Sequence, residues 1–219
     1  TDMDLRNKKI LFLGDSITQG SGASGEDKIY HAVAAKILGA TALNYGVSGT
    51  RIAKQTVCYQ AADFPEYFLQ RAKRMERQAD LVVVFGGTND FGHGSAPFGE
   101  IGDTDGSTFC GAFRELLAYL TSVYGKDKVV VLYPLRRWNE DNPRGDGCKP
   151  ADVQRLVGYY AAEKAITEEF GVKSIDLWNE KTLNPNLPEG KNDFVDGLHP
   201  NDDGHRILGE KIAQALLQM

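Results

Sequence analysis

The stretch LVVVFGGTND, residues 81–90, decides the fold class of this sequence. Its first five residues are all apolar, and the run stops at a pair of glycines. Strands without polar alternation are buried on both faces, as in parallel sheets that carry helices on each side. The residues that follow are frequent turn formers. The stretch therefore predicts a buried central strand, 81–85, with a polar turn at its carboxyl end.

Strands and helices are predicted to alternate outward from this strand. Four other short apolar runs are predicted to be strands, at residues 10–13, 42–47, 129–133 and 173–177. Segments with apolar residues at helical spacing lie between them, at residues 28–38, 64–78, 109–124, 150–170 and 202–217. Pro150 is assigned to the first turn of its helix, where a missing N–H costs little. Because such connections are right-handed crossovers, the pattern predicts an α/β fold: a three-layer α/β/α sandwich around a five-stranded parallel sheet.

Length and composition favour one globular domain over residues 1–219. Of the 219 residues, 42% are apolar and 25% are charged, which is ordinary usage for a folded protein. A chain of this length can bury a full hydrophobic core without disulfides or a structural metal. The net charge of −5 argues against a nucleic-acid partner, because such proteins carry a basic surface.

Cysteine usage and hydropathy bear on the compartment. Cys58, Cys110 and Cys148 are odd in number and widely spaced, so they cannot all pair and do not form a zinc pattern. No run reaches the ~18 apolar residues of a membrane span, and the charged start of the sequence does not resemble a signal peptide. These features favour a cytoplasmic protein without a metal site, whereas a trimmed leader would mean a secreted one. They leave the oligomeric state open.

A serine directly follows the first strand. In Gly14-Asp15-Ser16 the serine lies on the strand-to-helix turn, at the edge where open α/β sheets bind ligands. A serine hydroxyl is a poor nucleophile unless a base removes its proton. Serine and aspartate are also favoured helix N-caps, and the tripeptide on its own favours that role.

A histidine three residues after an aspartate could supply the base. The spacing lets the Asp196 carboxylate accept the Nδ1 proton of His199, which leaves Nε2 free to take a proton from a serine. An Asx-type turn with a surface histidine fits the same residues equally well. The competing histidines are His31, His93 and His205, of which the first and last fall inside predicted helices.

Two glycine-containing turns offer hydrogen-bond donors at the same edge. Asn89, in the turn after the third strand, would present its side-chain NH2 there. A neutral donor suits an oxyanion hole because it stabilises developing negative charge without titrating. Gly49, in the turn after the second strand, could present its backbone N–H. Each turn alone is also ordinary loop chemistry.

Four sequence blocks taken together resemble those of the SGNH hydrolases, also called the GDSL esterase/lipase superfamily. The blocks are GDSIT at 14–18, NYGVSG at 44–49, GTND at 87–90 and DGLHP at 196–200. They occur in the family's order and span most of the chain. Isoleucine replaces leucine in the first block, which is a common variation. The sequence lacks the Gly-x-Ser-x-Gly elbow of the α/β-hydrolases, which argues against that fold.

The resemblance implies a flavodoxin-like fold and a serine esterase. It implies that Ser16 is the nucleophile, His199 the general base and Asp196 the third member of the triad. The backbone N–H groups of Ser16 and Gly49 and the side chain of Asn89 would then bind the oxyanion. No metal ion and no organic cofactor are expected.

Two long polar loops, 92–107 and 136–149, follow strands and are expected to overhang the serine. Aromatic and arginine side chains among polar neighbours favour a short-chain ester of a polar alcohol, such as an O-acetyl group on a carbohydrate. An equally acceptable interpretation is that the aromatic side chains only pack against the protein and hold the loops in place. The candidate substrate contacts are Asp15, Phe91, His93, Arg136 and Trp138.

Three other functions are compatible with parts of this pattern. A thioesterase or a lysophospholipase would use the same triad, and the sequence does not separate them from a carbohydrate esterase. A non-catalytic flavodoxin-type module would bind flavin phosphate after the first strand, where Asp15 would repel it. Asp103 and Asp105 weakly suggest a cation loop, but a solvated turn is favoured because the other ligands of a calcium loop are missing.

Overall fold

Five parallel strands form the sheet of the computed structural model, which describes residues 3–60, 65–150 and 153–219. The strands are β1 (Lys9–Gly14), β2 (Thr41–Gly46), β3 (Leu81–Phe85), β4 (Val129–Leu132) and β5 (Lys173–Ile175). Their order across the sheet is β2-β1-β3-β4-β5, which is a flavodoxin-like order. The order places β1 between β2 and β3 and makes the turns after these three strands neighbours at one edge. The predicted five-stranded parallel sheet is confirmed, although β4 and β5 are shorter than predicted.

Helices cover both faces of this sheet. In the described part of the chain they are α1 (Ser16–Gln19), α2 (Tyr30–Leu38), α3 (Phe68–Ala72), α4 (Thr88–His93), α5 (Phe109–Tyr124), α6 (Leu156–Phe170) and α7 (Asp202–Leu217). Short 3₁₀ turns lie at Glu26–Lys28, Lys126–Lys128 and Lys191–Asp193.

Alternate residues of a strand pack into two separate hydrophobic cores, one on each face of the sheet. In β1, Leu11 and Leu13 pack in the core formed with α3, α5 and α6. Ile10 and Phe12 point the other way, into the core formed with α2 and α7. Because side chains alternate across a strand, a run without polar residues supplies both cores at once. The three-layer α/β/α sandwich is therefore confirmed.

The helix predicted over 64–78 is much shorter in the structure. It spans Phe68–Ala72, and Phe64 lies outside the described residues. After Ala72 the N–H groups of Arg74 and Met75 donate to carbonyls three residues back. This tight turn buries Met75 without continuing the α-helix, which is why the apolar spacing suggested a longer one.

The helix predicted from Pro150 begins only at Leu156. Pro150 therefore does not lie in a first helical turn, and residues 151–152 lie outside the described part. Two backbone contacts hold the segment before α6 against the preceding loop: Val153 N donates to Pro143 O and Leu156 N to Glu140 O. These contacts use N–H groups in an extended segment rather than in a helix.

Helices α1 and α4 were expected to be turns. Both are short, and both begin directly at the end of a central strand. The loop predicted over 92–107 accordingly begins after His93, the last residue of α4. None of the helices in the described ranges combines the length with the hydropathy that a membrane span requires.

Candidate active site

Ser16 is the first residue of α1, at the end of β1. The Asp15 carboxylate caps this helix by accepting from the Ile17 N–H at 3.0 Å. A side chain at Gly46 would place its Cβ 2.1 Å from the backbone nitrogen of Gln19, so the end of β2 packs directly on α1. The first N–H groups of a helix have no acceptor within the helix, which leaves the Ser16 N–H available for a ligand.

The structure brings Ser16, His199 and Asp196 together across 183 positions of sequence. The Ser16 hydroxyl lies 2.9 Å from His199 Nε2, and His199 Nδ1 lies 2.6 Å from Asp196 Oδ2. When Nδ1 donates its proton to the carboxylate, Nε2 is the unprotonated nitrogen and accepts from the hydroxyl. This arrangement can remove the serine proton.

The loop that carries Asp196 and His199 is fixed by its own backbone. Asp196 Oδ1 accepts from the N–H groups of Leu198 and His199 at 3.0 and 2.7 Å, and Gly197 adopts a left-handed φ of 78°. Partial burial raises the pKa of Asp196, but these hydrogen bonds and the one from the imidazole outweigh it and lower that pKa below its usual value. The carboxylate is therefore ionised beside the imidazole.

The segment after α1 is tied to the start of α7. Ser24 donates its N–H and hydroxyl to the Asp202 carboxylate at 2.8 and 2.6 Å. A Cβ at Gly22, where φ is 86°, would lie 2.0 Å from the carbonyl oxygen of Pro200. Pro200, the residue after His199, therefore packs against the segment that follows Ser16.

Asn89 and Gly49 lie in the turns on either side of the one that carries Ser16. Asn89 is 6% exposed, and its side-chain NH2 donates to Thr50 O at 3.0 Å. An amide nitrogen has two hydrogens, so this contact orients the group and leaves the second hydrogen free. Gly49 has a left-handed φ of 76°, which glycine adopts without strain. The arrangement offers donors from three adjacent strand ends.

Buried carboxyl groups lie beneath these turns. Burial raises the pKa of Asp15 to about 6, although the Ile17 N–H and the nearby charge of His199 lower it in part. Burial also raises the pKa of Asp90 to about 6 against the N–H groups of Ala53 and Ile52, which donate to its two oxygens. Both carboxyls hold backbone in place.

The competing histidines have structural partners. His31 Nε2 lies 2.9 Å from Thr18 O, and burial lowers its pKa to about 4. His205 Nδ1 accepts from the Tyr30 N–H, so Nε2 carries the proton that bonds Ser21 O. Burial lowers the pKa of His205 as well, which keeps it neutral.

Three of the candidate substrate contacts are buried. Asp15 is 2% exposed and caps α1, while Phe91 is fully buried with its ring edge-on to Tyr159. His93 is buried with Nδ1 3.1 Å from Arg51 Nη1. The prediction that Phe91 contacts substrate is wrong because this residue lies in the inward face of α4 rather than in a loop.

The two remaining candidates differ in what they contact. Arg136 donates to the Glu140 carboxylate at 2.9 Å and lies over the Trp178 ring at 4.7 Å, so its guanidinium has internal partners. Trp138 is 62% exposed, and its backbone N–H donates to Gly197 O at 3.0 Å. Trp138 therefore flanks the loop of His199 and stays a candidate.

The loop after α4 is held by hydrogen bonds to residues outside the turn that carries Ser16. Ser95 N donates to Gln55 Oε1 at 2.7 Å. The Asp103 carboxylate accepts from Glu100 N and from the Thr108 hydroxyl, as expected of a turn. Within the described residues, no group of three or more histidine, cysteine or acidic side chains could hold a metal ion. The free thiols are Cys58, exposed, Cys110, buried, and Cys148, half-buried.

Sequence patterns missed the buried cations around the site. Arg137 is 2% exposed and Lys149 is 3% exposed, and both donate to backbone atoms of α4. They lie in the loop that was expected to overhang the serine. The only signal for them is a pair of basic residues in a loop, which is ordinarily solvated.

Comparisons with known proteins find related sequences and structures. The model of the GDSL-like lipase/acylhydrolase family matches residues 12–207. Among solved structures, one is 30% identical, with a TM-score of 0.81, and covers 99% of this chain and 99% of its own. A Lactobacillus plantarum protein is 27% identical with a TM-score of 0.79, over 97% of both chains.

More distant neighbours share the fold. A Sinorhizobium meliloti structure, described as a carbohydrate acetylesterase family member, is 17% identical with a TM-score of 0.64 and covers 97% of this chain and 100% of its own. At that identity the likeness supports the fold alone. A search of curated proteins found no match.

Proposed function

Since the chain belongs to the GDSL-like lipase/acylhydrolase family, a family of hydrolases, we propose that it is a serine esterase that hydrolyses short-chain carboxylic esters. One observation carries the proposal: Ser16 Oγ lies 2.9 Å from His199 Nε2. A hydroxyl within hydrogen-bond reach of a base, which a carboxylate orients in turn, is the signature of an activated nucleophile.

The proposed reaction proceeds through an acyl-enzyme. His199 Nε2 takes the hydroxyl proton while Ser16 Oγ bonds to the ester carbonyl carbon, whose π electrons move to the oxygen. The Ser16 and Gly49 N–H groups and the Asn89 amide bind this oxyanion. The carbonyl then re-forms, and the alcohol leaves with the proton from His199. Water repeats both steps on the acyl-enzyme and releases the acid.

Asp196 would hold the imidazole in the required tautomer and stabilise its protonated form. Its carboxylate is suited to this because its pKa is lowered and it lies 2.6 Å from Nδ1. An ionised partner makes the histidine a stronger base without taking the proton itself.

For the substrate we propose a small ester of a polar alcohol, such as an O-acetylated carbohydrate. Two features support this choice. The Asp196 and His199 side chains are 49% and 24% exposed, so the loop that carries the base borders solvent. Trp138 next to the same loop offers an exposed aromatic surface, of the kind that combines apolar contact with a polar edge.

Both hydrophobic cores pack on the same sheet, which supports the proposal of a single domain over residues 1–219.

The experiment is the hydrolysis of p-nitrophenyl acetate by the wild type and by Ser16→Ala, His199→Ala and Ser122→Ala. Ser122 is exposed on α5 and serves as the matched control. We expect Ser16→Ala and His199→Ala to lose on the order of 10⁴-fold or more in kcat, and Ser122→Ala to keep the wild-type rate. A fluorophosphonate probe should label the wild type and the control but not Ser16→Ala. A wild-type rate in Ser16→Ala would refute the proposed nucleophile.

Chain length separates the short-chain proposal from its alternatives. We expect kcat/KM to be highest for acetate and to fall along a series of p-nitrophenyl esters. A maximum at eight carbons or more would instead support a lysophospholipase, and faster turnover of acyl thioesters than of matched oxygen esters would support a thioesterase.

A further inference from the structure

The loop of residues 136–149, here called the strap, wraps the short helix that carries Asn89. At the first residue of α4, the Arg137 guanidinium donates to Thr88 O at 3.2 Å and to Thr88 Oγ1 at 3.0 Å. Its Cζ atom also lies 5.2 Å from the ring centroid of Phe91, another residue of α4. One buried side chain thus contacts α4 both at the residue before Asn89 and on its inward face.

The other end of the strap holds the other end of the helix. Lys149 Nζ donates to the carbonyl oxygens of Asp90 and Phe91 at 2.8 and 3.0 Å. Asp146 N donates to Gly92 O at 2.8 Å. The strap therefore supplies donors to carbonyls in the last turn of α4, where Asp90 O also accepts from the Gly94 N–H.

Helix α4 has few internal interactions that stabilise it. It has six residues, and no side chain of its own caps its first turn, where Gly87 precedes Thr88. Helices this short are unstable in isolation, so their geometry depends on tertiary contacts. The orientation of Asn89 then depends on the strap together with the Thr50 carbonyl that accepts from its amide.

We propose that Arg137 is a positioning residue, which fixes the Asn89 amide in the oxyanion hole by holding Thr88. This inference rests on the proposed function. The Arg137 guanidinium is 2% exposed and also bonds Asn139 Oδ1 at 2.7 Å and the Asp146 carboxylate. Its planar fork can reach these acceptors and Thr88 at once, whereas a lysine ammonium cannot. The strap also reaches the base, because Trp138 N bonds Gly197 O.

The test is a double-mutant cycle between Arg137→Lys and Asn89→Ala. Lysine keeps the charge beside Asp146, so the buried pair is not left with one partner. We expect about ten-fold lower kcat in Arg137→Lys with KM within two-fold, because a small displacement of a catalytic group is costly. In the Asn89→Ala background, Arg137→Lys should cause no further loss, since the group that it positions is gone.

A matched control makes the same charge-conserving substitution at a residue that does not hydrogen-bond α4. Arg155 is exposed and its side chain donates to Asp141 O of the same strap rather than to α4, so Arg155→Lys should leave kcat unchanged. If the losses from Arg137→Lys and Asn89→Ala multiply, or if Arg137→Lys has wild-type kcat, the positioning role is wrong. If Arg137→Lys does not fold, Thr88→Val removes one acceptor and should lower kcat about three-fold, again only when Asn89 is present.

Hydrogen exchange separates a failure of this inference from a failure of the proposed function. In Arg137→Lys the amides of Phe91 and Gly94, which are bonded within and at the end of α4, should exchange faster while those of β3 do not change. This result would support the contact even if no ester were turned over. Unchanged exchange in α4 would overturn it whatever the activity.

Discussion

The two halves of the candidate site are held in different ways. Ser16, Gly49 and Asn89 lie at the ends of three adjacent strands, and Ser16 and Asn89 are 8% and 6% exposed. The other half, the loop of Asp196 and His199, lies before α7, and these two side chains are 49% and 24% exposed. The first half takes its geometry from packing, and the second from hydrogen bonds around one carboxylate.

The difference also appears in the carboxyl groups of each half. Burial raises the pKa of Asp15 to about 6, whereas hydrogen bonds lower the pKa of Asp196 despite partial burial. A buried carboxyl favours the neutral form and an exposed, hydrogen-bonded one favours the charged form. Ionisation of Asp15 therefore makes the stability of the strand-end half depend on pH. In the loop half, Asp196 stays ionised beside the imidazole.

The largest expected effect comes from Asp196→Asn, which breaks the loop half without changing its shape. An amide NH2 facing Nδ1 favours the wrong imidazole tautomer, so we expect kcat to fall on the order of 10⁴-fold. The measurement is kcat for p-nitrophenyl acetate, with thermal denaturation to show that the fold persists. Asp203→Asn, an exposed aspartate on α7, is the control. A loss smaller than ten-fold would mean that the half-exposed carboxylate does not orient the base.

The next effect comes from Asn89→Ala, which breaks the strand-end half. Removing one preorganised oxyanion donor costs about 10²–10³-fold in kcat. Because the amide also donates to Thr50 O, a small loss of stability should accompany it. The control is Asn192→Ala, at an exposed position away from the three strand ends. Equal losses in kcat and in affinity for an unreactive substrate analogue would argue against an oxyanion role.

The smallest effect sharpens the contrast in pKa. The pKa of Asp15 in the folded protein, about 6, lies above its unfolded value of 3.8. Its contribution to stability is therefore greatest below the unfolded value and is lost as pH rises through about 6. Asp15→Asn does not ionise, so we expect its stability relative to the wild type to rise by about 1–3 kcal/mol between pH 4 and pH 7.

Thermal denaturation across this pH range measures the effect, with Asp27→Asn, an exposed aspartate, as the control. A constant difference between Asp15→Asn and the wild type from pH 4 to pH 7 would contradict the raised pKa of the buried cap.

The central strands were the most predictable part of the fold. Strand β3 has the predicted bounds, 81–85. A five-residue apolar run between Asp80 and Gly86 is too short for a typical helix and fits a strand buried on both faces. The helix over 64–78 was less predictable, because the burial of Met75 by a tight turn mimics helical spacing. Periodicity reports which side chains are buried, but not which backbone bonds bury them.

The proposed triad and oxyanion donors followed from short polar blocks taken together with their resemblance to the SGNH hydrolases, since each block alone also fitted an ordinary turn. The structure brings Ser16, His199 and Asp196 within hydrogen-bond reach of one another. The buried cations did not follow. Arg137 and Lys149 are hidden in a loop whose composition is polar throughout, and only tertiary structure shows that their partners are the carbonyls of α4. Phe91 was misplaced for the related reason that a six-residue helix leaves no periodic signal.

The contact between Gly22 and the carbonyl of Pro200 has a consequence for how this scaffold could diversify. It makes the separation of hydroxyl and imidazole a property of two touching main chains, neither of which belongs to the strap or to the loop after α4. The loop after α4 can therefore change in length and composition without moving the reactive pair, whereas the strap also bonds Gly197 and α4 and has less freedom to change. An engineer seeking a new ester preference would vary the loop after α4 first and leave residue 22 as glycine.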